Sequence, residues 1–183
     1  MKQKLLKYLL FVYLASQVGY YTFAPLYSLF AHNLDLPAKT ISFIWSGYSL
    51  LAAFFILLMG KLENKKKKGK MIVFGYLIYA VGALSFILVN SERSLIIVLA
   101  INAFGAGITL PAYKTMFAKS ETRGKESQEW SWLDAGNMFA SALGAGIGGL
   151  IIGAFGFRGL FITMALIQTS AAFVAYKIFY NKS

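Results

Sequence analysis

The chain has 183 residues, of which 58% are apolar and 14% charged, with a formal net charge of +11. A soluble domain of this size needs far more polar surface, so the composition excludes that class and indicates a membrane protein. Disulfide and thiol chemistry are excluded because the chain has no cysteine. With His32 as the only histidine, we expect neither a metal site nor a cofactor.

Six apolar segments follow one another, separated by short polar connections. Each is close to the roughly 20 residues that cross a ~30 Å hydrocarbon core as an α-helix. The sequence predicts an all-α integral membrane protein with spans at residues 8–31, 41–60, 71–89, 95–117, 132–155 and 160–179. The first is too long for a signal-peptide core of about 7–15 residues, so we expect it to be retained. Residues 1–183 are thus predicted to form one transmembrane domain.

The basic residues predict the orientation. If the N-terminus is inside, 15 of the 18 Lys and Arg residues lie in inside segments, and only Lys39, Arg93 and Arg158 lie outside. Basic loops stay in the cytoplasm, so both termini are predicted to be cytoplasmic, in the plasma or inner membrane. Because the charge lies between apolar segments, it indicates topology, and we expect no nucleic-acid partner.

A short repeat links two of the spans. The first contains Gly19-x5-Pro25-x-Tyr27, the fourth contains Gly105-x5-Pro111-x-Tyr113, and the same offset pairs Ser16 with Asn102. These spans run in opposite directions, so the repeat favours a 3+3 inverted arrangement, as in secondary transporters. A match this short also arises by chance in glycine-rich membrane helices.

Three motifs carry a family resemblance. A basic hinge, Gly60-Lys-Leu-Glu-Asn-Lys-Lys-Lys-Lys-Gly-Lys70, joins the second and third spans. The fourth span contains Gly105-Ala-Gly107 and Pro111 and is followed by Arg123-Gly124. The fifth contains Gly144-Ala-Gly-Ile-Gly148-Gly149 and leads to Gly156-Phe-Arg158. Together they resemble the major facilitator superfamily of transporters.

The match to this family has departures. Gly60, Asn64 and Lys65 fit its second-to-third-helix motif, but Asn64 replaces the usual Asp, and Lys67 replaces the inner glycine. The family's antiporters tend to have an Arg where this chain has Ile101, and a Gly-Pro pair where it has Gly144-Ala145. The resemblance therefore implies a transporter without favouring drug/proton antiport.

Family members usually have twelve spans in two six-helix halves, and this chain matches one half. The resemblance implies a half-size transporter that moves a small solute by alternating access as a homodimer. The second span of one copy would then pack against the fifth span of the other. The alternative is a non-transporting subunit, or a truncated half that needs a separate partner half. No enzyme motif is present, so we do not expect catalysis.

In the family the first and fourth helices line the central cavity. The resemblance thus implies these substrate-lining candidates, the last of them on the fifth span: Ser16, Gln17, Tyr20, Tyr27, Asn102, Thr109, Tyr113 and Asn137. Hydrogen bonding between helices of one half explains these residues equally well. A tyrosine-rich, weakly charged cavity favours a neutral or amphipathic solute.

Asp134 is the only acid inside an apolar segment. It either carries a proton, or closes a cytoplasmic gate with Lys114 or Arg123, or lies at the interface near a helix N-terminus, where the helix dipole favours an acid. The family motif adds four residues to the gate candidates: Gly60, Glu63, Asn64 and Lys65.

Two further features concern contacts outside the cavity. Gly144 and Gly148 are small residues at helical spacing that let helices approach closely, so we expect Gly148→Leu to weaken the dimer. The Lys65–Lys68 run is expected to attract anionic membrane lipid.

Overall fold

A computed structural model describes residues 2–62 and 68–180. Nearly all of these residues are helical, as expected. Six α-helices are present in the described ranges: α1 (Lys2–Tyr21), α2 (Tyr27–His32), α3 (Ala38–Leu62), α4 (Lys68–Ser85), α5 (Glu92–Ser120) and α6 (Glu126–Tyr180). Two short 3-10 helices, Ala24–Leu26 and Phe86–Leu88, precede α2 and follow α4.

Five helical stretches in this part of the chain are long and apolar enough to cross a membrane: Gln3–His32, Ala38–Leu62, Lys68–Leu88, Glu92–Ser120 and Glu126–Tyr180. Their outer surfaces expose large apolar side chains, among them Leu50, Leu57 and Leu150, each at least 70% exposed. Lipid solvates such surfaces, and a helix satisfies its own backbone there. The fold is that of an all-α integral membrane protein.

The longest helix, α6, divides at Gly156. The φ of 64° and ψ of −173° at this residue are not helical, and glycine adopts them because it has no Cβ. Both sides of the division contact α1: Gln17 donates to Asn137, and Ser16 donates to Gln168. A straight helix would place Asn137 and Gln168 about 46 Å apart. The second arm, 157–180, therefore folds back along the first arm, 126–155.

The first predicted span, 8–31, is not one continuous helix. α1 ends at Tyr21, and the chain passes through the 3-10 turn Ala24–Leu26 before α2 begins at Tyr27. Pro25 lies in this turn, has no N–H to donate, and disfavours the helical conformation of the residue before it. Pro111 lies within α5, which continues past it to Ser120.

Two apolar clusters hold the helices together. Near one end, four aromatic rings pack with centroids 4.7 to 6.0 Å apart. They are Phe23 from the connection after α1, Phe30 from α2, Phe86 from the 3-10 helix after α4, and Phe161 from the second arm. The other cluster packs near the opposite end and includes Leu6, Ile72, Tyr76, Ala112, Phe117, Leu133 and Ala175. Along α1, half of the residues between these clusters, 13–20, are polar or tyrosine: Tyr13, Ser16, Gln17 and Tyr20.

Gly144 and Gly148 pack within the chain, against α1. A Cβ at Gly144 would come within 2.7 Å of the Val18 carbonyl oxygen, and a Cβ at Gly148 would overlap the carbonyl oxygen of Thr22. The expectation that Gly148 lies in a dimer contact is therefore wrong, because an internal neighbour already covers it. Gly149 and Gly153 have open space around them.

Candidate functional site

A cavity of about 210 Å³ lies between the two apolar clusters. Its wall comes from α1, α3, α4, α5 and the second arm of α6, and no charged side chain of the described residues lines it. The polar and aromatic lining residues are Tyr13, Ser16, Gln17, Tyr20, Tyr48, Tyr79, Asn102 and Gln168. We call this cavity the central pocket.

Ser16 and Gln168 form a reciprocal pair on one wall of the central pocket. The Ser16 hydroxyl donates to the side-chain oxygen of Gln168 at 2.7 Å, and the Gln168 amide donates to the Ser16 carbonyl oxygen at 3.1 Å. Both residues are 3% exposed. Buried polar groups need such partners, so this pair fixes the second arm of α6 against α1.

Gln17 is hydrogen-bonded to the first arm of α6. Its amide donates to the Asn137 side-chain oxygen at 2.8 Å, and the Asn137 amide donates to the Tyr21 hydroxyl at 3.3 Å. Asn137 is not part of the pocket lining. It therefore orients Gln17, and it ties α1 to the first arm of α6.

Asn102 also has two structural roles. Its amide donates to the Val98 carbonyl oxygen at 2.9 Å and occupies the space beside Gly82, where a Cβ would come within 2.6 Å of it. Ser16, Gln17 and Asn102 thus fit both interpretations of the polar residues, as substrate-lining residues and as contacts between helices. Each lines the central pocket and also packs or bonds between helices.

Tyr27 and Thr109 lie away from the central pocket. The Tyr27 hydroxyl donates to the Ile41 carbonyl oxygen at 3.4 Å, and its ring lies 4.7 Å from that of Trp45. Thr109 donates to the Gly105 carbonyl oxygen at 2.8 Å and fills the space beside Gly75. Both residues therefore serve helix packing in this conformation.

Tyr113 lies beneath the central pocket. Tyr13, a lining residue, stacks on it with ring centroids 4.4 Å apart and planes 17° apart. The hydroxyls of Tyr113 and Tyr76 are buried without a hydrogen-bond partner. Such a hydroxyl costs about 1–3 kcal/mol. We call Tyr13, Tyr76 and Tyr113 the tyrosine floor.

Three lining tyrosines are absent from the sequence-based candidates. The spacing of the sequence could have identified Tyr13. It precedes Ser16, Gln17 and Tyr20 by three, four and seven residues and so shares their helix face. Tyr48 and Tyr79 come from α3 and α4, and no sequence signal placed either helix at the pocket.

The family model of the Major Facilitator Superfamily matches residues 9–183. The chain belongs to this superfamily. The methylenomycin A resistance protein of Streptomyces coelicolor is 25% identical over 134 residues, which cover 71% of this chain and 28% of that protein. The crystal structure of the POT family transporter PepTSo matches with a TM-score of 0.77 and 17% identity, covering 94% of this chain and 37% of that chain. The chain thus spans well under half the length of both.

Membership of the superfamily identifies the chain as a transporter-family protein and not an enzyme. It also confirms the resemblance that the hinge and the glycine motifs indicated. Since both matching proteins are much longer, their activities as whole proteins pass to this chain only as proposals.

The gate candidates of this superfamily protein remain predictions. Asp134, Lys114 and Arg123 are all exposed, and within the described ranges no ion pair joins Asp134 to either basic residue. Gly60 lies near the end of α3 with open space around it. The other three candidates, Glu63, Asn64 and Lys65, fall outside the described residues.

At the connection between α5 and α6, the buried acid is Glu129, which is 3% exposed. It lies in the first turn of α6, and its carboxylate accepts a hydrogen bond from the Thr122 backbone N–H at 2.9 Å. No sequence pattern distinguishes it from the other charged residues between 121 and 129. Its burial arises from the close return of the connection onto the end of α5.

Proposed function

We propose that this chain forms one wall of a transporter that moves a small, uncharged or amphipathic organic solute across the plasma or inner membrane by alternating access. The central pocket carries this proposal. Its hydroxyl, phenol and amide groups hydrogen-bond a neutral solute, but none of its described lining residues pairs with a charge. A charged solute would lose its hydration without compensation. The relative named for resistance to methylenomycin A supports a small organic solute.

A six-helix, 3+3 inverted-repeat architecture is part of the proposal. The two arms of α6 account for the fifth and sixth spans. Ser16 contacts Gln168, and Asn102 contacts Gly82. Both members of the first pair differ from a member of the second by the same 86 positions, 16 to 102 and 82 to 168. A repeat that includes partners as well as single residues supports an internal duplication.

We propose that a second copy supplies the other wall of the transport path. The exposed residues of α3 include Ser42, Ser46, Ser49 and Ala53, and those of the first arm include Gly153, Gly149, Gly146 and Ala142. In this order both sets have spacings of four, three and four residues, which keep them on one helix face. The two helices run in opposite directions, so the sets match level by level in a two-fold dimer. Small residues permit the close packing this requires.

The alternative is that a different protein supplies the other wall. It would be favoured by an asymmetric complex in which α3 crosslinks to a chain of another mass. A non-transporting subunit would differ from both, because its pocket would be reachable from one side of the membrane at most.

Access to the central pocket tests the proposal. The chain has no native cysteine, so Ala106→Cys introduces the only thiol, on a small lining residue. In proteoliposomes we expect a membrane-impermeant maleimide to label it from either side. Labelling from one side only would contradict alternating access. Protection by members of a panel of uncharged amphipathic compounds then identifies the solute, while charged analogues are expected to give no protection. As a control, Ala118→Cys, on the exposed surface of α5, should show no protection by any compound.

The tyrosine floor predicts a separate effect on the conformational equilibrium. Tyr113→Phe removes a buried hydroxyl without a partner, so we expect this conformation to gain about 1 kcal/mol. The variant should therefore show a higher melting temperature. If the hydroxyl gains a partner in the conformation that is open to the cytoplasm, the variant combined with Ala106→Cys should also slow maleimide labelling of the introduced thiol from the cytoplasmic side. Tyr27→Phe, whose hydroxyl already has a partner, is the matched control and is expected to lose stability. A lower melting temperature for Tyr113→Phe would contradict the prediction.

A further inference from the structure

A second, larger cavity of about 600 Å³ lies between the first turns of α3 and α5. Its walls are mainly apolar and include Phe43 and Leu51 from α3 and Ile96 from α5. Phe43 is 66% exposed and Ile96 is 46% exposed, so this groove opens onto the outer surface of the bundle. We call it the α3–α5 groove.

The depth of the groove matches one leaflet of a bilayer. In the chain only α4 lies between α3 and α5, so α3 and α5 run in the same direction. Both begin at the end of the bundle opposite Leu62 and Lys68. Along α3 the lining runs from Thr40 to Leu51, a rise of about 16 Å. Half of a hydrocarbon core is about 15 Å. An acyl chain that enters from the interface therefore fits the length of the groove.

The polar end of the groove has charges of both signs. Glu92 lines it at the first turn of α5. The Nζ of Lys39 lies 6.0 Å from the ring centroid of Phe43, a wall residue. The N-terminus of α5 is already capped by the reciprocal pair Ser91 and Ser94, so the Glu92 carboxylate is not required as the cap.

This combination of charges selects a headgroup. An anionic phospholipid would satisfy Lys39 but be repelled by Glu92, and a lipophilic cation would satisfy Glu92 alone. A zwitterionic headgroup pairs with both. An ethanolamine ammonium also donates N–H hydrogen bonds to a carboxylate, which the quaternary ammonium of choline cannot do.

We propose that the α3–α5 groove binds phosphatidylethanolamine. One acyl chain occupies the apolar groove, the ammonium pairs with Glu92, and the phosphate pairs with Lys39. The site is separate from the proposed dimer surface, because Ser42, Ser46 and Ser49 lie on the opposite face of α3.

The bound lipid would also support the central pocket. Tyr48 lines both cavities. A lipid in the groove therefore packs against a wall of the central pocket. This predicts that lipid retention and the rigidity of that wall change together.

The test uses Gly47→Leu in the full chain. Gly47 lines the groove and has open space around it, so the leucine fills the groove without a clash within the chain. Native mass spectrometry after reconstitution in equal amounts of phosphatidylethanolamine, phosphatidylcholine and phosphatidylglycerol measures which lipid remains bound. We expect phosphatidylethanolamine to dominate in the wild type and its bound fraction to fall roughly tenfold in Gly47→Leu. Gly60→Leu, on the same helix but outside the groove and also in open space, should retain the lipid.

Glu92→Gln and Lys39→Gln separate the headgroup from the acyl chain. Both residues are exposed, so these variants should fold even if Gly47→Leu does not. Each is expected to abolish the preference for phosphatidylethanolamine over phosphatidylcholine. Equal retention of the three lipids by the wild type, an unchanged preference in both charge variants, or equal loss in Gly60→Leu would each overturn the proposal.

Discussion

Gly148→Leu is expected to abolish folding of the bundle, whereas Gly149→Leu is expected to leave it folded. The side chain at position 148 would meet the carbonyl oxygen of Thr22, which belongs to the backbone of α1 and its C-terminal turn. A backbone cannot rotate away as a side chain can. The cost therefore lies above the roughly 1–3 kcal/mol of ordinary overpacking, against a total stability of about 5–15 kcal/mol.

The yield of monodisperse protein and its thermal unfolding in detergent measure this difference. Gly149 has open space within the chain, so its leucine variant should purify with a wild-type melting temperature. It should, however, show a smaller dimer fraction, since Gly149 belongs to the proposed dimer surface. A wild-type melting temperature for Gly148→Leu would mean that α1 and the first arm do not pack as described.

Local sequence spacing could not distinguish these two glycines. Gly144, Gly148, Gly149 and Gly153 all fit patterns that let helices pack closely, and the spacing says nothing about which neighbour is involved. The neighbour is fixed only when α6 turns at Gly156 and its first arm meets α1. Apolar segments and family motifs, by contrast, are local signals, so the membrane class and the superfamily could both be predicted.

The two prolines of the repeat also differ in a way that the local sequence did not predict. The repeat made Pro25 equivalent to Pro111, and Tyr27 equivalent to Tyr113, yet only Pro25 is associated with a break between helices. Tyr27 lies in the apolar cluster that contains Phe23, while Tyr113 lies under the central pocket. Both follow the proline, more than two turns from Ser16 or Asn102, so neither reaches the pocket. Residues before the proline, Ser16 and Asn102, do reach it.

The amide groups that line the central pocket are hydrogen-bonded within the chain. The amides of Gln17, Asn102 and Gln168 have protein partners in this conformation. A solute that binds here must exchange with these bonds, which average only about 0.6 kcal/mol between membrane helices. Weak internal bonds are therefore compatible with a site that must both bind and release its solute.

The pair Ser46→Cys and Gly149→Cys is expected to form a disulfide-linked dimer in nearly all molecules under mild oxidation. These positions lie at the same level in the antiparallel match between α3 and the first arm. Cα atoms of bridged cysteines lie about 4.4–6.8 Å apart, a separation that only small residues at a helix contact allow. Because the chain has no native cysteine, no other thiol competes.

Gly47→Cys with Gly149→Cys is the matched control. Gly47 is adjacent in sequence but lines the α3–α5 groove, so this pair should stay monomeric on a denaturing gel. Equal crosslinking of both pairs would indicate random collision in the membrane. If neither pair crosslinks, while Ser46→Cys alone links to a chain of different mass in cells, the second wall comes from a separate partner half. The matched spacing of the two small-residue faces would then describe a surface that α3 and α6 present to that partner.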